Sequence, residues 1–177
     1  MTTARRGAGR RAAAGRVACD SPPVTDETST AAGPGGPAHV RTTGYAHVRL
    51  TVRDIARSRA FYDDVFGFDV AYELPADADE QTRERLGFLY GGVVYAFGGG
   101  LLGLRPVAPG DDRFDEDRVG LDHVSFTVPQ RDALDEAVVV LDRLGVAHEG
   151  VKDLDGFAIL EFRDPDGIAL ELTALTG

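Results

Sequence analysis

Two stretches of the chain alternate apolar and polar positions in the same way. In GYAHVRLTV (44–52) and GLDHVSFTV (120–128), Gly44, His47, Val48, Thr51 and Val52 recur at a constant offset as Gly120, His123, Val124, Thr127 and Val128. A period of two predicts a strand in each place. The period then lengthens: Ile55, Ser58–Arg59, Phe61–Tyr62 and Val65–Phe66 fall at helical spacing, with Gly67 as the stop. A strand over 68–74 follows, then a charged excursion over 75–87 containing a helical turn. Two more strands, 88–97 and 100–106, are split by Gly98-Gly99-Gly100. After a polar, acidic linker (107–119) the order returns. A strand spans 120–128. A helix spans 130–144, with Ala133, Leu134, Ala137, Val138 and Leu141 on its apolar face and Gly145 closing it. Strands follow at 146–150 and 157–163, and Asp164-Pro165-Asp166-Gly167 turns the chain into a last strand, 168–174. The pattern predicts an α+β protein of two βαβββ modules, 44–106 and 120–177.

Alternation also sorts the side chains by face. Val48, Leu50 and Val52 share one face of the first strand, and His47, Arg49 and Thr51 share the other. In the repeat, Val124, Phe126 and Val128 lie opposite Leu121, His123, Ser125 and Thr127. In the last strand Ile168, Leu170 and Leu172 lie opposite Ala169, Glu171 and Thr173. The apolar faces are expected to pack on helices at the outside. The mixed faces then line a concave cavity between curved mixed sheets. His47, His123 and Glu171 fall on those cavity faces, and two imidazoles with one carboxylate are a donor set for a divalent metal that leaves positions open. A single strand histidine is more often structural; its duplication, with one acid on an otherwise apolar final strand, raises the metal reading above that. Arg49 shares the face of His47 and is a candidate to hold a carboxylate, phosphonate or phenolate, or to pair with an acid at the rim. Glu161 is a candidate base if its strand turns that face inward. Of Tyr90 and Tyr95, both placed on the third strand, opposite parity lets one face the cavity.

Composition narrows the function classes. The first 43 residues carry six arginines against three acids, leaving 13 basic and 26 acidic residues in the remainder of a chain with net charge −10. An acidic body argues against nucleic acid as a partner. Residues 1–43 are rich in Ala, Gly, Thr, Arg and Pro, and read as a disordered extension. No apolar run is long enough to span a membrane. The single cysteine, Cys19, fits a cytoplasmic location. The acidic runs Asp63–Asp64 and Asp111–Asp117 lack the spaced ligands of a calcium loop and read as solvated surface.

With these motifs in hand, the chain resembles the vicinal oxygen chelate superfamily of glyoxalases, fosfomycin- and bleomycin-resistance proteins and extradiol dioxygenases. The resemblance covers about residues 44–175 and rests on HVRLTVRDIARSRAFYDDVFGF, LDHVSFTV and FRDPDGIALELT. It implies paired βαβββ modules and a divalent metal, Fe(II) or Mn(II) first and Zn(II) or Ni(II) next, held by His47, His123 and Glu171. It also implies a site built from modules of two chains, hence a homodimer, and a small oxygenated substrate. Aligning LLGLRP with IALELT puts Gly103 where glyoxalase-type isomerases take a fourth ligand. That departure points to dioxygenase- or lyase-like chemistry. The alternative is an antibiotic-resistance protein acting by drug sequestration or thiol transfer.

Overall fold

An aspartate and a glycine set the two ends of the first helix. The computed structural model describes residues 39–176. In it, β1 (His47–Thr51) leads to α1 (Ile55–Phe66), β2 (Asp69–Glu73), a short α2 (Glu80–Arg85), a 3-10 turn (Gly87–Leu89), β3 (Val93–Phe97) and β4 (Gly100–Arg105). The second half runs β5 (Val124–Thr127), α3 (Asp132–Leu144), β6 (His148–Leu154), β7 (Phe157–Arg163) and β8 (Ala169–Leu175). The Asp54 carboxylate accepts from the N–H groups of Ala56 and Arg57, satisfying donors that the first turn of α1 leaves open. Gly67 (φ 60°) ends α1 in the left-handed conformation that only glycine adopts without a Cβ clash. The extension assigned to residues 1–43 lies outside the described residues except for 39–43, which form no helix or strand.

The strands form two four-stranded mixed sheets of one design, ordered β1-β4-β3-β2 and β5-β8-β7-β6. In each, the first strand lies parallel to the last and the rest pair antiparallel. This is the predicted α+β architecture of two βαβββ modules, and the two sheets share no hydrogen-bonded edge. The apolar faces behave as alternation requires: Leu50, Val52, Leu102, Leu104, Phe126, Leu170, Leu172 and Ala174 are buried. Each fully buried leucine contributes about 1.5–3 kcal/mol. An aromatic seam joins the modules. Phe66 of α1 packs against Phe68, Phe126 and Phe162, and Phe97 meets Phe126 edge-on.

The DPDG turn fastens the modules a second way. Asp164 Oδ1 accepts from the N–H groups of Asp166 and Ile168, both at 2.8 Å, and Oδ2 accepts from the Tyr62 hydroxyl of α1 at 3.3 Å. The Asp166 carboxylate takes the Arg53 N–H and Nε at 2.8 and 2.7 Å. Burial pushes Asp164 up to about 6, against the pull of its backbone donors.

The structure corrects four expectations. The strand expected over 88–97 begins at Val93, because the chain first makes the 3-10 turn and then bends at Tyr90 (φ 55°) and Gly91 (φ 79°). Gly92 follows so close to β4 that a Cβ would sit 1.9 Å from the Leu104 carbonyl oxygen. The parity argument for the tyrosines therefore fails: Tyr90 is off the strand, while Tyr95 points into the core and donates its hydroxyl to Asp63 at 2.7 Å. Finally, the strand expected from 120 is paired only from Val124, and the one expected over 146–150 extends to Leu154.

Candidate metal centre

The strand register fixes which side chains share the open face of each sheet. In the second module Ser125 lies opposite Glu171 and Thr127 opposite Thr173; Glu161 faces Glu171 from the other side. Glu161 thus shares the face of Glu171, which strand pattern alone left undecided. His123 stands one residue before β5, with Nε2 4.0 Å from Glu171 Oε1. The His123 side chain is 45% exposed and that of Glu171 16%.

Both groups are oriented from behind. His123 Nδ1 is 2.5 Å from Asp122 Oδ1, which leaves Nε2 directed toward Glu171. Thr173 donates its hydroxyl to Glu171 Oε1 at 2.7 Å, so Ser125, 2.7 Å from Thr173 Oγ1, supplies the other proton of the chain. The hydrogen bond to Asp122 holds His123 above the usual imidazole range; burial opposes this, and the charges of Glu171, Asp122 and Glu161 add to it. Two carboxylates directly across a strand pair repel. Lys152 relieves the contact by placing Nζ 2.6 Å from Glu161 Oε2, and it also meets Glu149.

Strand alternation did not reveal Asp122. In a paired strand, successive side chains point to opposite faces, and Asp122 would lie away from His123. Pairing starts at Val124, so residues 122 and 123 are free to bring carboxylate and imidazole together. The adjacency Asp-His was the available signal.

His47 occupies the corresponding place in the first sheet, exposed, opposite Leu101. It does not join the other two. Among the described residues, no three His, Cys, Asp or Glu side chains of this chain converge closely enough to hold an ion. Within one chain, His123 and Glu171 stand as a close pair, and imidazole and carboxylate are donor types that suit a divalent cation. Arg49 shares the face of His47, but its guanidinium is engaged. Nη2 donates to the carbonyls of Phe88 at 2.7 Å and Leu89 at 3.2 Å rather than to an acid. Gly103 lies opposite Arg49, as Glu171 lies opposite Ser125. A Cβ there would meet Arg49 Cγ at 3.1 Å, so the arginine stem covers the place an acid would take. His148 is locked, with Nε2 on Asp142 at 3.1 Å and Nδ1 accepting from Gly150 N–H. A groove of about 750 Å³ runs past His123, Glu161, Glu171 and His148.

A family model described as the Glyoxalase/Bleomycin resistance protein/Dioxygenase superfamily matches residues 44–172. The chain is 30% identical over 129 residues to Uncharacterized protein YaeR of Escherichia coli (strain K12), spanning 71% of this chain and 92% of that one. Among solved structures, it resembles a glyoxylase/bleomycin resistance protein/dioxygenase domain from Frankia sp. EAN1pec, with TM-score 0.61, 31% identity, and coverage of 76% of this chain and 93% of that one. A fosfomycin resistance protein, FosX, from Listeria monocytogenes, complexed with Mn(II) and 1S,2S-dihydroxypropylphosphonic acid, shares the fold at TM-score 0.59 and 20% identity, covering 77% and 95% of the two chains.

Proposed function

The chain belongs to the glyoxalase/bleomycin resistance protein/dioxygenase superfamily, and on that premise we propose that it is a metalloenzyme assembled by two copies of itself. His123 and Glu171 of one copy would hold a divalent metal together with His47 of the other, leaving positions open for a small substrate with two neighbouring oxygens. The observation that carries this reading is a close pair: the His123 imidazole and Glu171 carboxylate stand 4.0 Å apart, each oriented by its own hydrogen-bond partner, with His47 exposed on the equivalent strand of the other module. Orienting partners of this kind are what metal ligands require. When bound, the ion supplies Lewis acidity and, as Fe(II) or Mn(II), a redox partner. Dioxygenase- or lyase-like chemistry is favoured over four-ligand isomerisation, because Gly103 brings no donor and Arg49 covers its place.

The protein's own residues divide the remaining work. Glu161, beside Glu171 and held by Lys152, accepts or returns a substrate proton. Asp122 keeps the His123 ring in one orientation. Arg49 is a positioning residue: it ties the 3-10 turn to β1 and lays its stem along the substrate face.

Mixing two inactive variants tests the shared site. His47→Ala and His123→Ala each bind no metal alone under this reading. Their mixed dimers contain one intact site of two, so a statistical mixture recovers about a quarter of the wild-type metal content. Metal analysis showing no recovery on mixing, or a monomer at micromolar concentration that holds metal, overturns the shared site. Absence of metal in wild-type protein purified without chelator overturns the enzyme.

A further inference from the structure

The open face of the first module gathers Arg49 with two residues whose role the metal reading leaves unassigned, Arg105 and Tyr90. The Arg105 guanidinium lies over the Tyr90 ring at 4.3 Å, and that of Arg49 lies 5.7 Å from the same ring. Arg105 is opposite Thr51 in the sheet, so it shares the face of His47 and Arg49. Among the described residues, no carboxylate lies within ion-pair distance of either arginine. Arg49 is spent on two backbone carbonyls, and its Nε is buried with no acceptor among the described residues. Among the described residues the Arg105 side chain makes no such bonds. Two cations therefore share one ring with no counter-charge among the described residues, in a chain whose net charge is −10.

The backbone is shaped to hold this arrangement. Tyr90 adopts φ 55°, a conformation unfavourable for a side chain of its size, and stays 56% exposed. Gly92 pins the turn against β4 where no other residue fits, which sets the ring beside Arg105. Strained, exposed aromatics persist where the surroundings over-determine them, and they cluster at ligand sites. Tyr72 and Phe88, each half-exposed, meet edge-to-face at 6.3 Å, and the Phe88 carbonyl is one of the two that Arg49 holds.

We propose that Arg105, stacked on Tyr90, binds the anionic oxygen group of the substrate, a carboxylate or phosphonate on an apolar or aromatic body. Arg49 adds a fixed second charge. This rests on the metal reading only for the other end of the substrate. Arg105 stands four residues along β4 from the partner of His47, about 13 Å at strand rise. The chelating oxygens and the anion then belong to opposite ends of a molecule of that span. A guanidinium fork suits an oxyanion because two parallel N–H groups reach two oxygens.

The test uses chelator-treated wild-type protein, so its outcome is independent of metal binding. Benzoate and phenylphosphonate are titrated while the arginine Nε–Hε NMR signals are followed, with neutral benzamide as the control. The expected result is a salt-sensitive shift of the Arg105 signal with either anion and none with benzamide. Arg105→Gln weakens binding about tenfold, Tyr90→Leu weakens it less, and Arg143→Gln on α3 leaves it unchanged. Equal binding by Arg105→Gln, or a wild-type Arg105 signal unmoved by both anions, overturns the proposal. A preference between the two anions assigns the class.

Discussion

The two modules share one topology and differ at one pair of facing residues. Where β5 and β8 place Ser125 against Glu171, β1 and β4 place Arg49 against Gly103. The second module keeps a carboxylate and builds a hydroxyl chain to orient it; the first gives the acid's place to an arginine stem and turns that arginine toward its own loop. The backbones are thus alike and the chemistry is divided: an acid with its hydroxyl chain stands on one face, cationic and aromatic groups on the other.

Four measurements break or sharpen that contrast. The largest effect belongs to Glu171→Gly, which makes the second module like the first at this position. Metal content falls from near-stoichiometric to background by elemental analysis, with the fold retained in circular dichroism. Next is Phe126→Ala at the aromatic seam. Losing a ring that contacts Phe66, Phe68 and Phe97 costs about 3–5 kcal/mol in urea denaturation, and the modules still unfold in one transition. The reverse exchange, Gly103→Glu, forces a side chain against Arg49 Cγ. It destabilises by about 1–3 kcal/mol and adds no metal, since the displaced arginine stays beside the new acid.

The smallest effect is a pH dependence. Asp164 titrates at about 6 in the folded protein against an ordinary 3.8, so folding favours its protonated form. That contribution is full below 3.8 and is lost as pH rises through 6. Asp164→Asn keeps an oxygen for the two backbone donors and does not titrate. Wild type therefore loses about 1 kcal/mol relative to Asp164→Asn between pH 5 and pH 8, read from paired denaturation curves.

Most of the architecture was legible in the sequence, because burial on one face imposes period two on strands and a longer period on helices. Val48, Leu50, Phe126 and Leu170 stand on the faces their spacing assigned. The pairing of Gly103 with the place of Glu171 also follows from the register. What alternation could not reveal lies where chain leaves strand. Tyr90 was assigned to a strand because its neighbours are apolar, yet a left-handed bend and a close crossing at Gly92 remove it. A strand drawn from residue 120 would likewise set Asp122 on the face away from His123, whereas pairing begins at Val124 and the two meet. The occupation of Arg49 depended on where the carbonyls of Phe88 and Leu89 come to rest, a contact some forty residues away in sequence that no local pattern encodes.

The Asp166 carboxylate has one further consequence. It sits in the turn that closes the last hairpin, yet it receives both the main-chain and side-chain nitrogens of Arg53, just beyond the first strand. A gene cut at the linker would strand a largely buried anion in one product and an arginine without its acceptor in the other. The halves share one design, yet a chimera that exchanges either half must carry a matching residue at the other end of this contact.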